Sequence, residues 1–259
     1  MNKKYELLPS ETITVGGHKL HRIRALISFA DVKAGDVGGY IENESSLSHD
    51  GMAWVSGNAR VSGNALVSGN AQVFGNAQVF GDARVFGNAQ VCGDAQVCGD
   101  AWVYDRARVF SNAQVSGYAR VSGRARVYGD AQVYSSAWVY GRARVYDRAR
   151  VSGNARVSGN ALVSGNARVS GDARVSGRAR VYGDSHYMCI SPIGSRDDTI
   201  TFFRTADRKI EVIIGCFRGS IEQFEKKAQE THGDNKHAKA YMLAAQLAQA
   251  RIDLSEEDT

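Results

Sequence analysis

The chain has 259 residues, of which 43% are hydrophobic and 23% charged, with 28 glycines, 2 prolines and a net charge of +5. At average usage about 13 prolines would be expected, so their scarcity is informative. No segment approaches the roughly 18 to 20 apolar residues of a membrane-spanning helix, and the first residues lack the apolar centre of a signal peptide. Four cysteines do not make a disulfide scaffold. A cytoplasmic protein of one or two domains is therefore expected.

Residues 1–52 are predicted to form a small β-rich cap. Residues 12–15 and 20–25 have the composition of strands, and Gly16 and Gly17 between them favour a hairpin turn. Ile41 and Leu47 fall in phase with the first position of a six-residue repeat that begins at Ala53. Two degenerate repeats are therefore predicted ahead of the regular array, because the terminal repeats of a solenoid are atypical.

Residues 53–184 consist of 22 consecutive hexads. Each hexad begins with Ala and has Val at its third position, and 18 of them have Gly at the fifth. Alternation places Ala and Val on one side of a short strand, and the glycine supplies a sharp corner. Three hexads close a triangle, so the segment predicts a triangular parallel β-solenoid of about seven to eight coils with an Ala and Val core. Strands that are hydrogen-bonded on both edges exclude proline, which explains its scarcity.

Residues 185–259 are predicted to form a ββαα unit. Residues 199–205 and 209–215 have the composition of two strands around a turn. Ser220 and Gln223 fit a capping box that opens a helix, and Gly233 ends it. Asp234 is predicted to cap a second helix that runs to about residue 252, and residues 255–259 are predicted to be frayed.

The hexads resemble the hexapeptide-repeat family, whose members are single-stranded left-handed parallel β-helices. In this chain one residue stands between the inward Val and the Gly, as in Val61-Ser62-Gly63. That variant is similar to putative enterobacterial acyltransferases and to repeat proteins of phages and prophages, which residues 35–40 and 215–219 also resemble. The resemblance implies a left-handed coil, trimers formed through flat faces, and a phage or prophage protein that acts in the bacterial host cytoplasm.

The positive charge of the chain belongs to the solenoid. Residues 1–52 carry a net −1 and residues 185–259 a net −2, whereas residues 53–184 carry 16 Arg, 8 Asp and no Lys or Glu. Sorting every third hexad onto one face gives three kinds of surface. One face carries arginine beside aromatic residues, one carries glutamine, and one carries tryptophan, tyrosine and arginine. The candidate binding residues are Arg108, Arg126 and Arg144 with Phe110, Tyr128 and Tyr146 on the first face, and Trp102, Tyr104, Arg120, Trp138 and Tyr140 on the third.

These aromatic and basic residues support two hypotheses. They either stack between coils and stabilise the solenoid, or they form a surface for a partner. The partner could be another subunit, a host protein, or an anionic ligand such as a nucleotide or nucleic acid. We expect a non-enzymatic interaction protein that forms homo-oligomers and binds, inhibits or sequesters a host component. Nucleotide or nucleic-acid binding through the arginine and aromatic residues is an alternative.

Acyl transfer from a CoA or acyl-carrier donor is the other alternative that the resemblance implies. Family acyltransferases use a histidine on the flank of the β-helix or on a loop that interrupts it. Residues 53–184 contain neither a histidine nor an insertion. Cys92 and Cys98 occupy the same hexad position on neighbouring faces and should stay unpaired. No spacing of Cys and His fits zinc, and neither a metal nor a cofactor is predicted.

Overall fold

The computed structural model describes residues 3–255 and shows a mainly β protein. A parallel β-solenoid of about eight turns is followed by a four-stranded antiparallel sheet and two helices. The predicted solenoid is therefore confirmed. The hand of its coil stays a prediction from the family resemblance.

The solenoid is a prism of two-residue strands, β4–β25, which recur every six residues from Trp54–Val55 (β4) to Arg180–Val181 (β25). Each strand from β4 to β22 pairs in parallel with the strand 18 residues further along, as Arg60 does with Gln78. Every third strand belongs to the same face, and we name the three faces by their outward residues. The arginine face contains every third strand from β4 to β25, the glutamine face contains every third strand from β5 to β23, and the tryptophan face contains every third strand from β6 to β24. Every Ala and Val of the hexads is buried, which confirms their inward prediction.

The corners of the prism need a backbone that most residues avoid. Gly123 has a φ of 67°, and a Cβ atom there would lie 2.9 Å from the backbone nitrogen and oxygen of Gly141 in the next coil. Asn and Asp at the following position connect successive corners. Asn76, for example, donates from Nδ2 to Oδ1 of Asp94 at 3.0 Å. The repeat therefore uses glycine for its conformation and Asn or Asp for contacts between coils.

The N-terminal cap extends the glutamine face. Strands β1 (Tyr5–Val15) and β2 (His18–Ala25) form an antiparallel hairpin, and β2 pairs with β3 (Val37–Ile41). β3 then pairs in parallel with β5. Both prolines lie outside the regular ladders, Pro9 at an irregularity of β1 and Pro192 at one in the C-terminal sheet.

Two degenerate coil segments precede the hexads as predicted, but their predicted phase is wrong. Ile41 pairs with Val61 and Leu47 with Val67, so both lie level with third-position valines rather than first-position alanines. A short 3-10 helix, Glu44–Ser46, lies between them. The shift arises because a bend at residues 49–50 adds two residues ahead of the corner at residues 51–52.

Side chains close both ends of the prism. At the first coil, Lys4 is 1% exposed and donates from Nζ to the carbonyl oxygen of Ala53 at 2.9 Å. Burial lowers the pKa of Lys4 to about 8, partly offset by Asp50. At the last coils, the backbone N–H of Arg168 donates to Asp184 and that of Arg174 donates to Thr201. Each end therefore has backbone groups paired by the adjoining unit rather than by another coil.

The C-terminal sheet has four strands, in the order β26 (Tyr187–Ile193), β27 (Asp198–Arg204), β28 (Ile210–Ile214) and β29 (Phe217–Ser220). The predicted hairpin corresponds to β27 and β28 and is confirmed. The prediction missed β26 and β29, the two edge strands. β26 contains Pro192 and β29 is four residues long, so neither carries a clear strand pattern.

Two helices pack on this sheet, α1 (Ile221–His232) and α2 (Lys236–Arg251). The capping box of Ser220 and Gln223 is confirmed, and Gly233 ends α1. The cap of α2 is Asn235 rather than the predicted Asp234, because the Asn235 side chain accepts the N–H groups of residues 237 and 238. Among residues 3–255, no helix is long and apolar enough to span a membrane. Residues 256–259 of the tail that was predicted to be frayed lie outside the described residues.

Candidate functional site

The predicted binding residues lie on two neighbouring faces of the prism. Arg108, Arg126 and Arg144 are aligned on successive strands of the arginine face. Trp102, Arg120 and Trp138 are aligned in the same way on the tryptophan face. All four arginines among these are exposed, and the aromatic residues are half-buried. The residues therefore form two surfaces that meet at one corner of the prism.

The rings of the arginine face stack on each other. The Phe110 and Tyr128 centroids are 4.8 Å apart with an interplanar angle of 4°, and those of Tyr128 and Tyr146 are 5.0 Å apart at 3°. Partial burial raises the pKa of Tyr128. The faces of Tyr128 are covered on both sides, so a nucleobase cannot stack on it without displacing a neighbour. These rings behave as a structural ladder.

The indoles of the tryptophan face are also engaged within the chain. The Trp102 ring lies between two guanidinium groups, 5.1 Å from Cζ of Arg120 and 5.6 Å from Cζ of Arg84. Trp138 donates from Nε1 to Oγ of Ser122 at 3.2 Å and contacts Tyr140 at a centroid distance of 4.5 Å. Cation–π contacts of this kind stabilise the free protein.

The structure adds a set of arginines that the sequence reasoning missed. The corner between the tryptophan and arginine faces carries arginine at the sixth hexad position on three successive coils. Backbone bonds between coils hold these residues in line, such as that from the N–H of Arg142 to the oxygen of Gly159 at 2.8 Å. We name the combined set the arginine lattice: Arg106, Arg124 and Arg142 at the corner, and Arg108, Arg126 and Arg144 on the face. All six residues are exposed.

The guanidinium groups of the arginine lattice are not neutralised within the part of the chain that the structure describes. None of the salt bridges among residues 3–255 involves them. The nearby carboxylates instead accept hydrogen bonds from corner residues of neighbouring coils. Asp105 accepts the N–H of Gly123 at 3.0 Å, and Asp130 accepts from Asn112 at 2.9 Å. The lattice therefore places six positive charges close together on the surface of the prism.

The corner arginines stand at a hexad position that the repeat pattern gives to the turn. Alternation indicates outward side chains only at the second and fourth positions, so it does not point to the sixth. Arginine recurs there at intervals of 18 residues, at positions 106, 124 and 142. That interval is one full coil, so it was the available signal.

Two of the six histidines accept backbone hydrogen bonds at the ends of the prism. His49 accepts the backbone N–H of Lys4 at the first coil, and His186 accepts that of Tyr182 at the last. His18 pairs with Glu42. These rings therefore have structural roles in the caps.

All four cysteines are free thiols. Cys92 lies on the arginine face and Cys98 on the glutamine face. Burial raises the pKa of the Cys92 thiol and of the Cys98 thiol. Within residues 3–255, no group of three His, Cys, Asp or Glu side chains could hold a metal ion.

The repeat itself matches a known type. Segments of the prism match the model of the YdcK beta solenoid repeat at residues 53–69, 59–75, 77–93, 119–135, 149–165, 155–171 and 173–186. The prism is similar to the YdcK β-solenoid. All these segments lie between residues 53 and 186, so the likeness concerns the repeat and supports a repeat β-helix family. A comparison with curated proteins found no match for the chain.

Proposed function

We propose that this protein is a non-enzymatic β-solenoid interaction protein that binds an acidic surface of a host protein through the arginine lattice. The observation that carries the proposal is the set of six exposed guanidinium groups on three successive coils, without an acidic partner among the described residues. Adjacent coils are about 4.8 Å apart. Exposed cations held this close repel one another, so a partner with matching carboxylates relieves that repulsion when it binds.

The shape of the prism supports recognition rather than catalysis. The hexads run without an insertion from Ala53 to Val181, so the arginine lattice lies on a regular surface that spans one face and one corner of the prism. His49 and His186, at opposite ends, are bonded to the backbone of the caps. The resemblance to phage and prophage repeat proteins supports a phage origin and a host component as the partner. It also supports trimers formed through the flat faces.

Nucleic acid is the second candidate partner, and the same arginine lattice favours it. Arginine pairs well with phosphate as well as with carboxylate. The covered faces of Phe110, Tyr128 and Tyr146 argue against base stacking, which would leave contacts to the phosphate backbone alone. Binding of that kind depends steeply on salt and ignores sequence.

The test compares two variants with equal loss of charge. The first replaces Arg124, Arg126 and Arg144 with Gln, and the control replaces Arg150, Arg156 and Arg168, which are exposed elsewhere on the prism. Binding of labelled poly-glutamate and of oligothymidylate is measured across salt concentrations. We expect the lattice variant to bind poly-glutamate at least about tenfold more weakly than the control does. Equal binding by both variants contradicts the proposal.

Further measurements separate the remaining alternatives. Tighter binding of oligothymidylate than of poly-glutamate, lost in the lattice variant with a salt slope lower by about 2, identifies nucleic acid as the partner. Affinity capture from host lysate with the wild type and both variants tests the host protein, and native mass measurement tests the trimer. Turnover of acetyl-CoA by the wild type would contradict a non-enzymatic role.

A further inference from the structure

A second surface feature lies at the opposite end of the arginine face from the C-terminal unit. The loop between β2 and β3 and the first two coils together line a cavity of about 460 Å³ that is open to solvent. Its lining includes Trp54 and Phe74 from the coils, and Asp31 and Asp36 from the loop. This volume lies in the range of small-molecule sites.

The loop that forms the cavity is held in place by its own hydrogen bonds. Phe29 and Val32 exchange both backbone bonds at 2.9 Å. The N–H of Ala25 donates to the oxygen of Asp36 at 2.9 Å, and that of Ala34 donates to Oγ of Ser28 at 3.0 Å. A ligand would therefore meet a preformed wall and would not have to order the loop on binding.

The aromatic residues of the cavity differ from those of the ring ladder. Trp54 is 7% exposed and is fixed by an edge contact with Phe29, at a centroid distance of 5.5 Å. Phe74 is half-buried and stands between Ser56 and Cys92 on the neighbouring coils. No aromatic contact to Phe74 occurs in the described part of the chain. No other ring in that part of the chain therefore covers the Phe74 ring, unlike that of Tyr128.

The charged side chains that line the cavity are acidic. Asp31 and Asp36 are exposed, and among residues 3–255 no basic side chain lines the cavity. Asp36 uses Oδ2 to accept the N–H of Lys33 at 2.8 Å, which leaves Oδ1 for a ligand. The ammonium group of Lys4 faces elsewhere, towards the oxygen of Ala53 and the ring of Phe29. Val37 and Met52 add an apolar rim and are 47% and 51% exposed.

We propose that this cavity binds an organic cation, a guanidinium or alkylammonium group on an apolar body. The carboxylates pair with the charge, the aromatic rings contact the cation and its body, and the apolar rim covers the rest. The cation could belong to a free amine or to an arginine or lysine side chain of a protein. This site is independent of the arginine lattice, since its residues and the sign of its charge are different.

Benzamidine, a flat aromatic cation, is the first probe, with benzyl alcohol and benzoate as its neutral and anionic counterparts. Titration of the full chain by NMR is expected to show saturable binding of benzamidine and at least about tenfold weaker binding of the other two. Asp31→Asn is expected to weaken benzamidine binding several-fold, and so is Phe74→Leu, which keeps apolar volume but removes the ring. Asp100→Asn, an exposed corner aspartate, is the matched control and should leave binding unchanged.

Two ligands then separate the sources of the cation. Tighter binding of agmatine indicates a free amine, whereas tighter binding of a blocked arginine peptide indicates a protein side chain. Equal affinity for benzamidine and benzyl alcohol, or unchanged affinity in both Asp31→Asn and Phe74→Leu, overturns the proposal. The lattice variant of Arg124, Arg126 and Arg144 should bind benzamidine as the wild type does, so failure of one proposal does not carry over to the other.

Discussion

Arg108 and Arg126 are paired directly opposite each other on neighbouring parallel strands, and Arg126 faces Arg144 in the same way on its other side. At the spacing of adjacent strands, about 4.8 Å, two unit charges in water repel by roughly 0.9 kcal/mol. The register of the solenoid thus places like charges side by side, which is unfavourable for the isolated protein.

Arg126→Gln is expected to stabilise the free protein, because Arg126 has an arginine on both sides. Its melting temperature should rise by about 1 to 3 °C at low salt and by less at high salt, where screening weakens the repulsion. Arg60→Gln is the control, since Arg60 lies between Tyr40 and Gln78 and has no such neighbour. A fall in melting temperature for Arg126→Gln would show that the arginines serve mainly to stabilise the prism.

Val127→Asp is expected to prevent folding. The side chain of Val127 is fully buried in a core of Ala and Val, where a carboxylate would have neither space nor a hydrogen-bonding partner. The readout is soluble yield together with circular dichroism. Arg126→Asp, at the neighbouring outward position, should fold. A soluble Val127→Asp protein with unchanged melting behaviour would remove the inward assignment.

Ser135→Gly is expected to stabilise the prism by about 0.5 to 1 kcal/mol, because Ser135 has a φ of 59° and a glycine adopts this conformation without strain. Gly117→Ala, at the equivalent corner of the preceding coil, tests the converse. A Cβ atom at Gly117 would lie 3.0 Å from the backbone nitrogen of Ser135, so this variant should be destabilised. Urea unfolding of both variants measures the change in the free energy of unfolding. Changes of the same sign in the two variants would contradict the explanation given for the corner glycines.

Lys4 is expected to make the stability of the protein rise with pH above about 8. The folded protein releases this proton at about pH 8, whereas the ordinary pKa of the unfolded chain is 10.5. Between these values the unfolded chain binds more protons, so alkaline pH favours the folded state by at most about 1.4 kcal/mol per pH unit.

Lys4→Met provides the comparison for that effect. The free energy of unfolding of the wild type relative to Lys4→Met should increase between pH 7 and pH 10 and be flat below pH 7. Because Lys4 also donates to Ala53, the variant is expected to be less stable at the alkaline end. A difference that does not change with pH would mean that the Lys4 ammonium is not desolvated.

The prism was predictable because each hexad carries its own strand and corner signals, and 22 copies leave one consistent solution. The phase of Ile41 and Leu47 was not predictable, because a two-residue insertion in a turn has no sequence pattern of its own. Edge strands β26 and β29 were missed because pairing with β27 and β28 stabilises them more than their own composition does. The arginine lattice is predictable only if residues 18 positions apart are compared at the corners as well as in the strands.

The sealed ends of the prism limit how copies of this protein can assemble. An open stack of parallel strands would recruit further chains along its axis, which is how amyloid fibrils lengthen. Here Lys4 occupies a carbonyl at one end, and Asp184 and Thr201 occupy N–H groups at the other. These occupied groups cannot pair with another chain, so we expect copies of this protein to assemble through the sides of the prism rather than by stacking of its ends.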